Sequence, residues 1–383
     1  MVSTREGRLG GPLRFRCNRH VAGPLRVLAV VLTLLVAAGC GRGSGDAADE
    51  APIIFALLSD RSLLEVSSAS GRILRTVQLG PRAPVAGSAG DFLARGPDGS
   101  TLFVLLHAAT NQGQSVAEVA TSTLKVGARH RLPAGISFQS LVVGPRSGRL
   151  YLAGNRLGKR AAGAPVLLVL EPGSGAVVER MTIRPTQGRD WLVLDAAVSS
   201  DERHAAVSYH GDDTTGADLI SLAGQPRRCI DRTPDYAGCM SLHGGVVFGG
   251  HGLLAATGEG PLIELALDGR VLRRWRTRLP RNHLMALAVD GRGRVAATVG
   301  SCGYTGGVSV IELDSGRTTV IGYPRTVCGE IVAFAEAELL AVARNALPVP
   351  QGTPSAIEFV DVGKRRIVRR TPTRTDVIAL VAT

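Results

Sequence analysis

Aromatic residues supply only 4% of the 383 residues, and lysine occurs just three times, at Lys125, Lys159 and Lys364. With so few rings, a core must be filled by Val, Leu, Ile and Ala, and no single side chain can dominate its packing. Long apolar runs are missing too. The run Val27–Ala38 (VLAVVLTLLVAA) has twelve residues, whereas a membrane-spanning helix needs about 20. Helical periodicity is nowhere sustained, which argues against an α or α/β domain. There is no C-x-x-C, no G-x-S-x-G elbow, no phosphate loop and no H-E-x-x-H. The hydrolase, nucleotide-binding and metalloprotease chemistries that use those motifs therefore have no signature here.

What the N-terminus does contain is an export signal. Arg5, Arg8, Arg14, Arg16, Arg19 and Arg26 precede the short apolar run, which ends in small residues. Val36-Ala37-Ala38-Gly39-Cys40 resembles the lipobox of bacterial lipoproteins, a resemblance that implies lipidation of Cys40 and its release as the first mature residue. Gly41 to Ala51 is small and polar and cannot bury a core, as suits a tether. The expected organisation is a signal peptide over 1–39, a lipid-anchored tether over 40–51 and one folded domain over 52–383. The expected location is the extracytoplasmic side of the cell membrane.

Loss of residues 1–39 removes six arginines and one glutamate, which lowers the formal charge from +12 by five, to +7. The mature chain stays basic, but outside the cytoplasm nucleic acid is not an expected partner. Arginine in place of lysine, with much Ala and Gly, points to a high-GC bacterium. Cys229, Cys239, Cys302 and Cys328 remain in the folded part. An even number in an oxidising compartment suggests two disulfides rather than a metal site. Three pairings are possible, and the repeat layout described next favours Cys229–Cys239 with Cys302–Cys328.

After Pro52 the chain is a series of apolar runs of four to eight residues, rich in Val, Leu and Ile and separated by Gly, Asp, Ser and Pro. This is an all-β pattern. The runs group in fours, with innermost strands starting near Asp91, Phe138, Trp191, Gly244, Leu284, Glu330 and Asp376. Turns recur in register. GPDGS, GPRSGR, SSDER and DGRGR separate the first and second runs, and SASGR, EPGSG, ALDGR, ELDSGR and DVGKR the third and fourth. Glycine is frequent there because tight hairpins need positive φ. Four strands per unit of roughly 40 to 50 residues suit the blades of a propeller. The pattern resembles bacterial seven-bladed YVTN and WD40-like propellers over the whole mature chain. It lacks the WD dipeptide, so the resemblance implies architecture and no family function.

The expected fold is therefore all-β: a seven-bladed β-propeller of four-stranded antiparallel blades, closed by the C-terminal strand. The first unit, Ile53 to Leu79, has three strands where the others have four, and Asp376 to Thr383 (DVIALVAT) is a strand with no hairpin partner. Each supplies what the other lacks. A two-sheet sandwich would explain neither defect.

Candidate binding residues cluster where second-to-third-strand loops look long and polar: His107 to Ser115, Asn155 to Pro165, Tyr209 to Ala217, Gly300 to Gly307 and Arg344 to Ser355. These loops nominate His107, His210, Asp212, Asp213, Tyr304 and Arg344 for a partner. Inner strands open with Asp91, Gln139, Asp190, His283, Glu330 and Asp376, beside Arg189 and Arg374. Such a ring could hold a cation or a polar ligand, although channel mouths are wet and polar in any case. Arg273, Arg274, Arg276 and Arg278 on one outer strand, and Arg365, Arg366, Arg369 and Arg370 on another, read first as protection of exposed sheet edges.

No catalytic residue, metal ligand or required cofactor is identified. The expected function is a monomeric module that binds a protein or small ligand through the long-loop face. The alternative is a propeller enzyme, lactonase-like or quinone-dependent dehydrogenase-like, with a metal or cofactor on that face.

Overall fold

A computed structural model describes residues 52–80, 92–107, 113–158, 162–183, 192–210, 215–222, 228–229, 245–249, 251–256, 261–276, 284–290, 292–299, 305–326, 331–345 and 354–383. They form seven antiparallel sheets of four strands each, and among them there is no helix. We letter the strands of each blade A to D from the centre outwards. The A strands are Leu93–Arg95, Ile136–Val143, Leu192–Val198, Val246–Gly249, Leu284–Val289, Val332–Glu336 and Val377–Ala382, belonging to blades two to seven and then blade one. Leu284 is the expected start, and the others begin one or two residues away from it. Each A strand packs against the A strands of the blades on either side, all the way round, so the ring is closed.

Closure uses the chain ends. Strand B of blade one, Ile53–Leu58, pairs antiparallel with Val377–Ala382, with Ile54 opposite Ala382 and Ala56 opposite Leu380. Beyond the ladder, the Thr383 N–H donates to the Ile53 carbonyl at 2.9 Å, and the Ile53 N–H donates to Thr383 Oγ1 at 2.9 Å. A strand with no local hairpin gains its ladder this way.

Burial follows position in the blade. Phe55, Leu57, Leu102 and Val104 on B strands are buried because a neighbouring blade covers each face of the sheet. Outer strands such as Ile73–Gln78 and Val177–Thr182 are largely exposed. The seams hold Val, Leu, Ile and Ala with a few rings, among them Phe55, Phe92, Phe138 and Phe359. An aromatic-poor composition is thus matched by narrow seams between sheets.

Turns from A to B and from C to D share one end of the ring, which we call the bottom; connections from B to C and from D to the next A share the top. Bottom turns are tight, as at Gly148 (φ 72°) and Gly269 (φ 84°), where glycine adopts the left-handed conformation.

Candidate functional site: the top face and the seam of blades three and four

Three top-face segments read as loops begin as hairpin ladder. Asn155 pairs with Pro165 and Leu157 with Ala162; His210 pairs with Thr215; Val299 pairs with Gly307. The blades therefore rise higher than the loop spacing suggests. The longest top connections run from D strands to the next blade, after Gln78 and Cys229, and next comes the second-to-third-strand connection after Arg344.

Side-chain amides at the tops of B and C strands grip the blade that follows. Gln114 in blade two donates through Nε2 to the Phe138 carbonyl at 3.0 Å and accepts from the Phe138 N–H at 2.8 Å. Asn345 in blade seven does the same to Val377, at 3.0 and 2.9 Å. Asn155 in blade three accepts from the Val193 N–H at 2.7 Å and donates to the Gly163 carbonyl at 3.2 Å. A carboxamide has the donor and acceptor of a peptide group, so it can extend a sheet ladder across a seam where the backbone cannot reach. Asp195 bridges similarly, accepting from Ser140 Oγ at 3.3 Å in blade three and from the Val246 N–H at 3.0 Å in blade five.

These bonds decide the fate of two nominated residues. His107 packs its ring edge-on to Phe92, with centroids 5.1 Å apart, and its Nδ1 lies 2.9 Å from Gln114 Nε2. Burial, reinforced by the Arg61 charge, pushes its imidazole down to about 4, so it is neutral at pH 7. It acts as a packing residue beneath the Gln114 clamp. Asp376 accepts from Ser355 Oγ at 2.6 Å, and its backbone carbonyl accepts from the Ser59 N–H at 2.8 Å. Its carboxylate thus ties a top loop of blade seven to the start of strand A.

Arg344, expected to face a partner, is instead buried, with Nε 3.1 Å from Glu358 Oε1. His210 is paired in the backbone ladder. Asp91, Asp190, Asp212, Asp213, His283, Tyr304, Glu330, Cys239, Cys302, Cys328 and Cys40 lie outside the described residues. Cys229 stands in the outer strand of blade four, opposite Asp218.

The outer-strand arginines have a function that edge protection does not describe. Strand C of blades one, five and seven carries a buried glutamate, Glu65, Glu264 and Glu358, each directly opposite an arginine of strand D, Arg75, Arg273 and Arg370. Arg75 runs on to the carbonyls of Thr121 and Ser122 in blade two, and Arg273 to the Leu313 carbonyl in blade six at 2.7 Å. Arg369 reaches the Ser68 carbonyl of blade one. In blades one and five the buried carboxylate thus faces the arginine that clips the blade onto the bottom turn of the next, whereas in blade seven Arg369 makes the clip and Glu358 pairs with its neighbour Arg370.

Other bottom turns are closed in the same spirit. Glu202 accepts from the backbone N–H groups of Arg146 and Ser147 at 2.6 and 2.7 Å. Burial alone would raise its pKa, but those bonds, with the Ser147 and Tyr151 hydroxyls, outweigh it and hold the carboxyl below the usual range. Arg294 joins Asp290 at 2.7 Å to Glu338 at 2.8 Å.

One pocket opens at the top of the seam between blades three and four. It has a volume of about 240 Å³ and is lined by Ser137, Gln139, Asn155 and Arg156, with Leu157 and Leu192 at its mouth. The ladder between strands A and B of blade three skips from Phe138–Gly154 to Ser140–Ala153, so Gln139 is the extra residue of a β-bulge. Gly154 permits the close approach: a Cβ there would lie 2.3 Å from the Ser137 carbonyl oxygen. Gln139 had been legible only as one polar residue among several at the channel mouth.

No protein-family model and no curated protein matches this chain. Solved structures do. The dihydro-heme d1 dehydrogenase NirN in complex with DHE is similar with a TM-score of 0.56 at 12% identity, over 90% of this chain and 78% of that one. The β-propeller domain of Cps50 (Swd1) from Myceliophteria thermophila gives 0.52 at 12% identity, over 76% of this chain and 90% of that one. The RRP9 WD40 repeats give 0.53 at 14% identity, over 77% and 84%. At such identities the likeness is one of fold, and the chain is a seven-bladed β-propeller with WD40-like structural neighbours.

Proposed function

We propose that this propeller is a lipid-anchored bacterial lipoprotein, held at the extracytoplasmic membrane surface through Cys40, that works as a monomeric binding module presenting its top face to a protein or small ligand. The observation that carries the binding face is the asymmetry between the two ends. Bottom turns are short and closed by Glu202, Arg294 and the arginine clips, whereas the longer connections and the seam pocket are at the top. The anchor rests on the signal-like N-terminus and Gly39-Cys40. Ile53 starts strand B at the bottom, opposite Thr383, so a tether attached there leaves the top face pointing outward.

A photoreactive residue placed at Arg374 on the top and, separately, at Ser174 on the bottom should cross-link a partner in intact cells from Arg374 alone. Cross-links from Ser174 alone would reverse the faces, and none from either would remove the protein-partner reading. Cys40→Ser should release the protein from membranes, and retention through an uncleaved N-terminus would reject lipidation. Metal analysis and an absorbance scan of the purified protein separate this reading from the enzymatic one.

A further inference from the structure

The bulge at Gln139 is repeated round the ring, but its chemistry is not. Blade four bulges between Val193 and Asp195, and blade six between Leu284 and Ala286, so the corresponding extra residues are Leu194 and Met285. An apolar side chain suits that position, since it needs no hydrogen-bond partner. Blade three places a glutamine there that is only 9% exposed. Its Nε2 donates to Ser137 Oγ at 3.0 Å, while its Oε1 is buried with no partner among the described residues. Leaving a buried carbonyl unsatisfied costs about 1 to 3 kcal/mol. A bulge re-aims a side chain, and this one sets the glutamine that carries the orphaned acceptor in the pocket wall.

Other walls narrow what could satisfy it. Ser137 accepts from Gln139, which leaves its hydroxyl hydrogen to donate. Arg156 at the rim donates to Thr182 Oγ1 at 2.9 Å and has no carboxylate partner among the described residues. Leu157 and Leu192 at the mouth are 39% and 42% exposed. The volume of about 240 Å³ is below the roughly 300 to 1,000 Å³ of pockets that hold drug-sized ligands.

We propose that the seam pocket binds a small carboxylate that carries a neighbouring N–H donor and a short aliphatic group: an acylated amino acid or the C-terminal residue of a peptide. A turn of the Gln139 carboxamide brings Oε1 to the cavity to accept the N–H, the carboxylate pairs with Arg156, and the aliphatic part covers Leu157 and Leu192. This rests on the top face being the binding face, but it requires no protein partner. Cross-linking from Arg374 can therefore succeed where the pocket fails, and the reverse.

Calorimetry on the purified full-length protein tests it with N-acetyl-L-alanine and with the peptide acetyl-Ala-Ala-Ala. Saturable binding of N-acetyl-L-alanine assigns a free ligand, and binding of the peptide alone assigns a chain end. N-acetyl-L-alanine methylamide lacks the anion, acetate the donor and inorganic phosphate the aliphatic group, and each should bind at least tenfold more weakly. Arg156→Gln and Gln139→Met should each weaken binding at least tenfold. Gln139→Met, which restores the apolar residue of the other blades, should leave the melting temperature unchanged or raised. Binding by neither probe, phosphate binding as tight as theirs, or a Gln139→Met protein that melts lower yet binds normally would overturn the proposal.

Discussion

Asn345 and Val377 exchange two hydrogen bonds across the seam that closes the ring, Oδ1 accepting from the Val377 N–H at 2.9 Å and Nδ2 donating to its carbonyl at 3.0 Å. The side chain occupies the place of one more residue of a neighbouring strand. Asn345→Leu removes both bonds and leaves two peptide groups unpaired, at a cost of about 2 kcal/mol. Chemical denaturation should show a lower midpoint with an unchanged slope. A variant as stable as the parent would mean that the clamp is not needed to hold strand A.

Deleting 376–383 goes further. It takes away Val377 and Ala379, both buried, together with the ladder to Ile53–Leu58. Two sheet edges are then exposed, and the protein should unfold or aggregate. Unchanged thermal melting of the truncated chain would contradict closure by the C-terminal strand.

That closure was legible in the sequence because it follows from counting strands, and counting needs only the alternation of apolar runs with turn residues. The grips between blades were not legible. Asn155 and Val193, or Gln114 and Phe138, are separated by connections of different length, so no fixed spacing marks them. The arginines were visible, but only as edge protection. An Arg-rich outer strand looks like edge protection until Glu65, Glu264 and Glu358 are seen buried opposite it. Gln139 fell within the polar set at the channel mouth, but its orphaned carbonyl depends on a bulge, and a bulge has no sequence signature.

The carboxylate of Glu358 lies between Arg344, 3.1 Å away, and Arg370, 2.7 Å away. Both Glu358 and Arg344 are buried. Glu358→Leu would take from the buried Arg344 the carboxylate beside its Nε, a change that costs about 3 to 5 kcal/mol. Arg370→Leu removes the half-exposed partner and should cost far less, about 1 kcal/mol or below. Urea titrations of the two variants should rank them in that order, and equal losses would show that Arg344 does not depend on Glu358.

His107 gives the fold a pH dependence of known sign. Buried and neutral, it binds its proton more weakly than in the unfolded chain, where the ordinary value is 6.5, against about 4 in the fold. Between those values the unfolded state carries more protons, so stability falls as pH falls from 6.5 towards 4 and is fully retained above 6.5. Comparing unfolding free energies at pH 7 and pH 5 should show this slope reduced in His107→Asn. An undiminished slope would place the titration elsewhere.

The last prediction concerns the four cysteines of the folded part. Thr305 is paired with Thr326 across strands C and D of blade six, at the top of the sheet. Cys302 precedes Thr305 by three positions and Cys328 follows Thr326 by two. The register thus starts both short segments from adjacent backbone positions, within reach of the roughly 4.4 to 6.8 Å between Cα atoms that a disulfide needs. Cys229 is on the outer strand of blade four, and Cys239 follows ten positions later in the same connection. We therefore expect Cys302–Cys328 and Cys229–Cys239. Closing loops of this size contributes roughly 2 to 4 kcal/mol each. Peptide mapping without reductant should recover both pairs, and adding dithiothreitol should lower the melting temperature. Free thiols, or Cys229 recovered with Cys302 or Cys328, would reject the pairing.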